Sequence, residues 1–581
     1  MKKNLTLGIS FGYNASACIM DEQNNVLYAA SEERFTNVKN CKFFPTLAIK
    51  NGIEFLGIDP KDITACYYSH YQEADIYDMY RHSYGIDNKI PYRLYSDRRN
   101  YELEKNFIDQ HLYMLGIDVN LNIWRINHHV AHAYSAKALT PFTTGTNLYV
   151  VMDGFGDGES ITAWIDCDDV LANALSLGMS KSIALVYQFV TGALGYKEHQ
   201  HEGKITGLAA FGDPRKYYDD FIALYEGFAN IERDENVHSP IIDFDIFLEM
   251  KRRTYAFVDR IVGNLTDREE FEESKHIAAS LQAFAEDKAI EIIEKVIREH
   301  HLKDVNVMLS GGLFANVKIN QRVHENIPEV KNIFIAPPMG DEGTCIGAAF
   351  YRNRYMTPST VMNNMTMRMG TSHNTDEVAM LLLADEDLEA EVLNGHLTTA
   401  KEIAKDLSEN KIVCLFDGRM EFGPRALIGR TIMYNCRDKG ANDWLNKQLG
   451  RTEYMPFAPF CKEQHARDLF HEVEGKEYAL KNMTVTVNCT DEFIQNYPAA
   501  CHVDNTARPQ VISQHENELA WMILDEYEAI TGEKALINTS FNLHNYPIIE
   551  SPEVAISSWK QSNTQSLYIG RNGSWYKITR K

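Results

Sequence analysis

The chain has 581 residues, of which 44% are hydrophobic and 24% charged, and this composition is typical of a globular protein with more than one domain. The formal net charge is −23, from 58 Lys and Arg against 81 Asp and Glu, and so negative a surface disfavours a nucleic acid as the main partner. No run approaches the roughly 18 apolar residues of a membrane span. The ten cysteines form no Cys-x-x-Cys pair, which is typical of reduced thiols in a cytoplasmic protein.

Three predicted strands in the first 350 residues each lead into a glycine-containing turn. They cover residues 5–10, 148–152 and 305–309, and two more strands follow the first at 17–20 and 26–30. Glycine has no Cβ, so such turns let backbone N–H groups approach an anionic ligand closely. The recurrence of this unit is compatible with a duplicated α/β fold of the actin and sugar-kinase type.

Two α/β regions are separated by a change in composition. A long helix is predicted over 277–297, where apolar residues recur at helical spacing. Around 352–375 the chain becomes rich in Asn, Met, Thr and Ser, and a second α/β pattern follows with a helix at 397–409 and a strand at 412–416. The predicted divisions are a first domain over 1–355, a linker over 356–375 and a second domain over 376–581.

The spacing of His128 and His132 is i and i+4, so on a helix their rings share one face and can bind one metal ion, with His129 pointing elsewhere. Taken alone, two histidines at this spacing are more often structural residues. Two carboxylates that follow separate strands, Asp153 and Asp341, favour the metal site. Two imidazoles with one or two carboxylates and open positions suit iron(II), manganese or zinc.

Two other segments carry side chains that suit a nucleotide. Lys204 lies in the glycine-rich segment 201–212, where it can meet a phosphate or be a solvated loop residue. The glycine turn at 310–312 opens a helix on which Asn316 and Asn320 are one turn apart. Amides so spaced can bind a ribose or a base edge, although an asparagine at a helix start can also simply cap it.

The C-terminal half concentrates arginines in a protein that is otherwise acidic. Three of them stand around glycine turns at 417–430, and arginine forks bind carboxylate or phosphate oxygens bidentately. Short polar segments at 450–459, 502–508 and 538–542 are typical of a phosphate site assembled from several loops. The alternative for the arginines is a structural ion-pair network.

Ten short motifs follow one another along the chain. They are Glu-Glu-Arg-Phe at 32–35, His-x-x-x-His at 128–132, Asp-Gly-Phe-Gly-Asp-Gly at 153–158, Glu-Gly-Lys-x-x-Gly-Leu-Ala at 202–209, Ser-Gly-Gly-x-x-x-Asn at 310–316, Gly-Asp-Glu-Gly at 340–343, Arg-Met-Glu-Phe-Gly-Pro-Arg-Ala-Leu at 419–427, Met-Pro-Phe-Ala-Pro at 455–459, His-Val-Asp-x-Thr-Ala-Arg at 502–508 and Asn-Thr-Ser-Phe-Asn at 538–542. In this order they resemble the O-carbamoyltransferases of nodulation-factor and antibiotic biosynthesis. The resemblance extends from about residue 5 to residue 575.

The resemblance implies a two-domain enzyme. Its N-terminal domain would be similar to the actin-like domain of tRNA threonylcarbamoyl transfer, and its C-terminal domain to the YrdC fold. The YrdC-like domain would make carbamoyl-adenylate from carbamoyl phosphate and ATP with Mg²⁺. The actin-like domain would then pass the carbamoyl group, beside an Fe²⁺ ion, to a hydroxyl of a small-molecule acceptor.

Residue by residue, the resemblance implies three kinds of role. The metal ligands would be His128, His132, Asp341 and Asp153. The residues that bind ATP and carbamoyl phosphate would be Gly207, Gly311, Gly312, Asn316, Asn320, Arg419, Arg425, Arg430, Arg451, Arg508, Ser540 and Asn542. The catalytic candidates are Tyr13, Asn14, Lys204 and Arg425.

Two positions depart from many relatives of this kind. The first turn has Tyr13-Asn14 where many relatives have His followed by Asp or Asn, so the sequence does not identify the base on the acceptor side. Gly450-Arg451 stands where many relatives have a lysine, so Arg451 would bind the anion alone.

Two rival functions use the same residues. The first is carbamoyl-adenylate chemistry on a macromolecule, which the net charge of −23 disfavours for tRNA and the lack of zinc-type cysteine pairs disfavours for a hydrogenase-maturation protein. The second is a non-enzymatic ATP-binding regulator, which would leave the arginine cluster without a ligand. The identity of the acceptor and the oligomeric state are not readable from the sequence.

Overall fold

The computed structural model describes residues 4–70, 97–118, 122–167, 170–229, 231, 240–263, 272–352, 367–441, 444, 446, 455–562, 564–571 and 573–581. The contacts within it divide the chain into two compact units. The first comprises Met1–Val26, Lys42–Thr46 and Ile58–Met362, and the second comprises Leu27–Cys41, Leu47–Gly57 and Asn363–Lys581. The predicted domain boundaries at 355 and 376 stay a prediction.

Residues 5–335 form two five-stranded sheets that repeat one arrangement. The first sheet consists of β1 Leu5–Phe11, β2 Ser16–Met20, β3 Val26–Ser31, β4 Ile63–His70 and β5 Asn122–Arg125, in the order β3-β2-β1-β4-β5. The second consists of β6 Thr146–Gly156, β7 Glu159–Cys167, β8 Val170–Leu177, β9 Val305–Ser310 and β10 Val330–Ile335, in the order β10-β9-β6-β7-β8. In each sheet the first strand pairs antiparallel with the second and parallel with the fourth, and the fourth pairs parallel with the fifth. This repetition agrees with the predicted duplication of an α/β unit.

Helices connect and cover these strands. They are α1 Glu33–Thr36, α2 Thr46–Leu56, α3 Asp97–Met114, α4 His128–Leu139, α5 Ile183–Ala193, α6 Glu202–Ala209, α7 Tyr218–Ala229, α8 Pro240–Val262, α9 Glu272–Glu299, α10 Val317–Asn326 and α11 Thr344–Tyr351. The helix predicted over 277–297 is confirmed by α9, which buries Ile277, Leu281 and Phe284 on one face. None of the helices within the described residues is long and apolar enough to span a membrane.

The strand predicted over 148–152 extends farther than predicted, and its glycine-containing turn comes later. Strand β6 continues to Gly156, which pairs with Glu159, so the segment 153–158 is the end of a hairpin. The turn itself consists of Asp157 and Gly158, whose φ angles are 51° and 88°. Two central residues with positive φ form the type of turn that the twist of a hairpin favours, and Asp-Gly suits it.

Helix α11 contacts both α4 and β1 through glycines. A Cβ atom on Gly347 would lie 1.8 Å from the carbonyl oxygen of Ala131 in α4. A Cβ atom on Gly8 of β1 would lie 2.0 Å from the carbonyl oxygen of Cys345 in α11. Because the opposing atoms belong to the backbone, these contacts fix the position of α4, the helix that begins with the predicted metal-binding histidines.

The rest of the second unit is built on an eight-stranded sheet with the order β11-β20-β19-β12-β13-β18-β14-β17, and β15 and β16 pair separately. The strands are β11 Leu388–Asn394, β12 Val413–Asp417, β13 Arg430–Asn435, β14 Ala458–Lys462, β15 Val487–Asn488, β16 Thr506–Ala507, β17 Gln510–Ile512, β18 Ala535–Ser540, β19 Ser566–Arg571 and β20 Ser574–Arg580. The helices are α12 Thr375–Leu383, α13 His396–Ser408, α14 Ala466–Leu469, α15 Glu477–Lys481, α16 Asp491–Asn496, α17 Glu518–Thr531 and α18 Pro552–Gln561. The predicted helix at 397–409 and strand at 412–416 are confirmed by α13 and β12. Apolar residues of α13 and α17 pack on this sheet and form its core.

We expect Gly347→Ala to lower the free energy of unfolding of the first unit by about 1–3 kcal/mol, because the added methyl group must push α4 and α11 apart. Gly203→Ala is the matched control: no atom lies within 4 Å of its Cβ position, and alanine favours helix α6. Thermal unfolding should show a lower midpoint for Gly347→Ala only. Equal midpoints for the two variants would contradict the close packing of α4 on α11.

Candidate functional site

Helix α4 starts at a point that two hydrogen bonds define. The side chain of Asn127 accepts a hydrogen bond from the backbone N–H of Val130 at 2.9 Å and so caps the helix. Asp157, in the hairpin turn, accepts one from the backbone N–H of His128 at 2.8 Å. The hairpin therefore places the first residue of α4, and His132 follows one turn later on the same face.

The structure brings together the four predicted metal ligands. The Nε2 atom of His128 lies 3.3 Å from Oδ2 of Asp153 and 3.5 Å from Oδ1 of Asp341. The Nε2 atom of His132 lies 3.4 Å from the same Asp341 oxygen and 3.2 Å from Nε2 of His128. One donor atom from each of the four residues lies within 4.8 Å of the others, and all four side chains are buried.

Strand order explains why the two carboxylates meet. Asp153 lies near the end of β6, and Asp341 follows the end of β10. Strands β6, β9 and β10 are parallel neighbours, so their carboxyl ends lie at the same edge of the sheet.

Neighbouring groups orient these side chains. The backbone N–H of Gly312 donates to Oδ1 of Asp153 at 2.6 Å, and the hydroxyl of Ser310 lies 3.2 Å from Nδ1 of His132. A partner on the second ring nitrogen fixes the tautomer of a metal-binding histidine. Sequence reasoning assigned Gly312 to the cofactor and did not assign a role to the Ser310 side chain. The signal was present in the Ser-Gly-Gly turn, but the contact joins residues 178 positions apart.

The charges in the cluster shift its protonation. Burial lowers the pKa of a histidine, but Asp341 and Asp153 outweigh burial at His128 and raise its pKa to about 9. Burial and the nearby His128 lower the pKa of His132 to about 3. Burial and the charge of Asp153 raise the pKa of Asp341 to about 7. Against the effect of burial, the hydrogen bond from His128 holds the pKa of Asp153 well below its usual range.

The donor set fits a divalent metal ion. Two imidazole nitrogens and two carboxylate oxygens converge, and Oδ2 of Asp341 is buried without a hydrogen-bond partner among the described residues. A second buried carboxylate beside the first is unfavourable unless positive charge lies between them. His128, His132, Asp153 and Asp341 would hold the ion, and nitrogen with oxygen ligands suits iron(II), manganese or zinc.

The first turn of the chain carries two of the predicted catalytic residues. The hydroxyl of Tyr13 donates to the carbonyl oxygen of His199 at 2.6 Å. Asn14 has a φ of 48°, and its amide donates to Oε2 of Glu342 at 3.4 Å. Because Glu342 directly follows Asp341, the structure places Asn14 next to the metal-binding cluster.

The predicted nucleotide-binding residues of the first unit have local structural contacts. The side chain of Asn316 caps α10 by accepting from the N–H of Lys318 and Ile319, and the amide of Asn320 donates to the carbonyl oxygen of Phe314 at 2.8 Å. Lys204 lies buried in α6, which also contains Gly207. Their roles toward ATP and in catalysis stay predictions.

Two of the three arginines at 417–430 bind backbone carbonyl groups. Arg419 donates to the carbonyl oxygens of Leu27, Met369 and Gly370. Arg430 is fully buried, donates to the carbonyl oxygens of 417, 418 and 429, and stacks 3.5 Å from the ring centre of Phe416. These contacts give both side chains a structural role, through carbonyl groups and not through the ion-pair network that was the alternative. The predicted anion-binding role of both arginines stays a prediction.

Segments that carry three of the other predicted phosphate-binding residues meet at Asn538. The buried amide of Asn538 donates to the carbonyl oxygen of Ala426 at 3.0 Å and to Oε1 of Gln510 at 2.7 Å. It thereby joins the segments that carry half-buried Arg425, Arg508 and Ser540. Sequence reasoning quoted Asn538 within a motif but missed this connecting role.

Two contacts complete the description of this group. The hydroxyl of Ser540 donates to Oδ1 of Asn542 at 2.6 Å, so these two predicted ligands are also adjacent. Arg451, together with Gly450 at the position where many relatives have a lysine, lies outside the described residues.

A buried possible metal site of two histidines and two carboxylates, at the carboxyl ends of parallel strands, makes the chain a candidate metalloenzyme. Residues 5–350 match the family described as Carbamoyltransferase N-terminus, and residues 404–574 match the one described as Carbamoyltransferase C-terminus. The chain therefore belongs to the carbamoyltransferase family and is a carbamoyltransferase.

Relatives cover most of the chain. Nodulation protein NolNO of Sinorhizobium fredii is 25% identical over 98% of this chain and 80% of its own length. Nodulation protein NolO of Bradyrhizobium diazoefficiens is 27% identical over 77% of this chain and 78% of its own length. Protein MJ1051 of Methanocaldococcus jannaschii is 26% identical over 97% of this chain and 98% of its own length. The crystal structure of full-length HypF in its phosphate- and nucleotide-bound form matches with a TM-score of 0.30 at 13% identity. That match covers 61% of this chain, which spans less than half (47%) of the HypF chain.

We expect protein purified without oxygen to contain about one divalent metal ion per chain, and the double variant His128→Ala, His132→Ala to lose it. His129→Gln is the matched control, because His129 lies on the same helix but is not one of the four ligands, and its Nδ1 atom lies 3.2 Å from the hydroxyl of Thr162. Elemental analysis checks the content. A metal content unchanged in the double variant would falsify the ligand assignment.

Metal affinity should rise with pH. Without a metal ion, Asp341 and Asp153 raise the pKa of His128 to about 9, so at lower pH a metal ion must displace a proton from it. Each proton released makes the apparent affinity up to about tenfold higher per pH unit. Titration with Mn²⁺ between about pH 6 and about pH 9, followed by electron paramagnetic resonance of the free ion, measures this slope. An affinity independent of pH would contradict the protonated state of the metal-free site.

Proposed function

We propose that the chain is an ATP-dependent O-carbamoyltransferase that forms carbamoyl-adenylate from carbamoyl phosphate and ATP and transfers the carbamoyl group to a hydroxyl of a small-molecule acceptor. The observation that carries the proposal is the convergence of His128, His132, Asp153 and Asp341 in a chain of the carbamoyltransferase family. Transfer to an alcohol needs an activated carbonyl group, and such a centre is suited to activate it.

We assign the two steps to two domains. The actin-like domain would comprise residues 1–355, the linker 356–375 and the YrdC-like domain 376–581. The repeated strand order of the two sheets supports a duplicated, actin-like first domain. The separate matches at 5–350 and 404–574 support a division of the chain between them.

The adenylation step would use the residues around Asn538. Arg425, Arg508, Ser540 and Asn542 bind the phosphate oxygens of carbamoyl phosphate and ATP, with Mg²⁺ on the nucleotide. Carbamoyl phosphate is a mixed anhydride, and positive guanidinium groups stabilise the charge that develops on its phosphate as the anhydride bond breaks. Arg451 adds a further positive charge from a neighbouring segment of the sequence. Water cleaves carbamoyl phosphate to carbamate and inorganic phosphate. A carbamate oxygen then attacks the α-phosphorus of ATP, so that carbamoyl-adenylate forms and pyrophosphate leaves.

The transfer step would use the first unit. His128, His132, Asp153 and Asp341 would hold an iron(II) ion, which would supply Lewis-acid chemistry when bound. Asn316, Asn320 and the glycines at 207, 311 and 312 hold the adenosine part, and Lys204 neutralises its phosphate. Asn14 and Tyr13, at the first turn, face the acceptor.

A small-molecule acceptor agrees with the charge of the protein. The net charge of −23 repels the phosphate backbone of tRNA. A small alcohol without phosphate groups is not repelled in this way, and its hydroxyl is all that carbamoyl transfer requires. Sugar-like or natural-product alcohols are the class of acceptor that we propose.

Arg425→Ala should reduce pyrophosphate release from ATP and carbamoyl phosphate by about 10²-fold or more, because one preorganised charge on the reacting phosphate is lost. The matched control is Arg437→Ala, since Arg437 is 57% exposed and pairs with Glu533 on the surface. A coupled pyrophosphate assay checks both variants. Full activity of Arg425→Ala would show that the adenylation step does not use the residues to which we assign it.

A further inference from the structure

The turn before α6 holds His199 in a left-handed backbone conformation. Its φ is 63°, in the left-handed region, where residues other than glycine are uncommon. Such a conformation persists only where the surrounding contacts determine it, and it is found most often at functional sites.

Contacts on both sides clamp this turn. The backbone N–H of His199 donates to Oε1 of Glu202 at 2.6 Å, and its carbonyl oxygen accepts from the hydroxyl of Tyr13 at 2.6 Å. The preceding residue, Glu198, forms an ion pair with Lys251 at 2.8 Å. The side chain of His199 therefore leaves the backbone in a direction that the protein has set.

That direction leads to the first turn of the chain and, through it, to the metal-binding cluster. The imidazole centre lies 5.1 Å from the ring centre of Tyr13. The next residue, Asn14, donates to Glu342, which directly follows the ligand Asp341. Asp153, another ligand, is close enough to act on His199 electrostatically.

We infer that His199 is the general base that accepts the proton of the acceptor hydroxyl, an inference that rests on the proposed function. The hydroxyl oxygen attacks the carbamoyl carbon while its proton passes to a ring nitrogen of His199. The bond from that carbon to the phosphate oxygen of AMP breaks, and its electron pair leaves with the phosphate. The products are the carbamate ester and AMP, and His199 then releases its proton to solvent.

The charged groups that face His199 keep it ready to accept a proton. Burial, Lys42 and Lys251 lower its pKa, and they outweigh Glu198 and Asp153, which raise it. The imidazole is therefore neutral at pH 7, as a base must be.

A second titratable group stands in the same turn. Burial raises the pKa of Glu202 to about 7, so its carboxylate is the alternative base. Since Glu202 accepts the backbone N–H of His199, we assign it to holding the turn.

The variant that tests the base is His199→Asn, because asparagine adopts the left-handed conformation readily and removes only the imidazole. The assay supplies ATP, Mg²⁺ and carbamoyl phosphate, with water and glycerol as acceptors, and follows two products. We expect the first-turnover burst of pyrophosphate to be unchanged and AMP release to fall by about 10²- to 10³-fold. In the unmodified protein AMP release should rise with pH to a plateau, and this rise should be absent from His199→Asn.

The control on the same turn is His201→Asn, in which the asparagine oxygen can replace Nδ1 as the acceptor for the N–H of Lys197, and both rates should be retained. Glu202→Gln keeps an acceptor for the N–H of His199 and should lower AMP release by less than about tenfold. Near-normal AMP release by His199→Asn overturns the inference, and loss of AMP release in Glu202→Gln alone assigns the base to Glu202. Unmodified protein that releases no pyrophosphate overturns the proposed function and the inference with it.

Discussion

Two carboxylates that share one buried space are the constraint on which the first unit depends. Asp153 and Asp341 both lie within 3.5 Å of the same His128 nitrogen, and water does not screen them. Their repulsion must be balanced by a proton or a metal ion, and the pKa of His128, raised to about 9, shows how strongly the pocket favours positive charge. The glycine contacts of α11 with α4 and β1 hold the histidines opposite these carboxylates. The geometry of the metal-binding cluster therefore depends on the packing of these helices and this strand.

Residues around the cluster and around Arg425 orient the side chains of the two candidate sites. Ser310 and Gly312 orient ligands, and Asn14 connects the first turn to the loop of Asp341 through Glu342. In the second unit, Glu421 accepts three backbone N–H groups and Asn538 connects two strands to the segment before β13, so buried polar side chains shape the loops around Arg425. Buried hydrogen bonds of this kind help to make a rigid frame, which is what a site acting by charge and position requires.

The sequence predicts the strands, the long helix α9 and the histidine pair because each depends on local spacing. It also predicts that Asp153 and Asp341 approach each other, since both follow strands. It does not predict that Arg419 and Arg430 donate to backbone carbonyl groups, as they do in this structure, and their role toward an anion stays a prediction. His199 was missed for a physical reason as well: one of the contacts that hold its backbone comes from Tyr13, 186 positions away, and no local pattern encodes such a contact.

The most direct measurement of the metal centre is X-ray absorption at the metal edge of protein isolated with its ion. We expect a first shell of nitrogen and oxygen at about 2.0–2.2 Å, with outer-shell scattering from two imidazole rings, as His128 and His132 with Asp153 and Asp341 require. A shell that contains sulfur, or one without imidazole scattering, would contradict the assignment of these four residues as the centre at which the carbamoyl group is transferred.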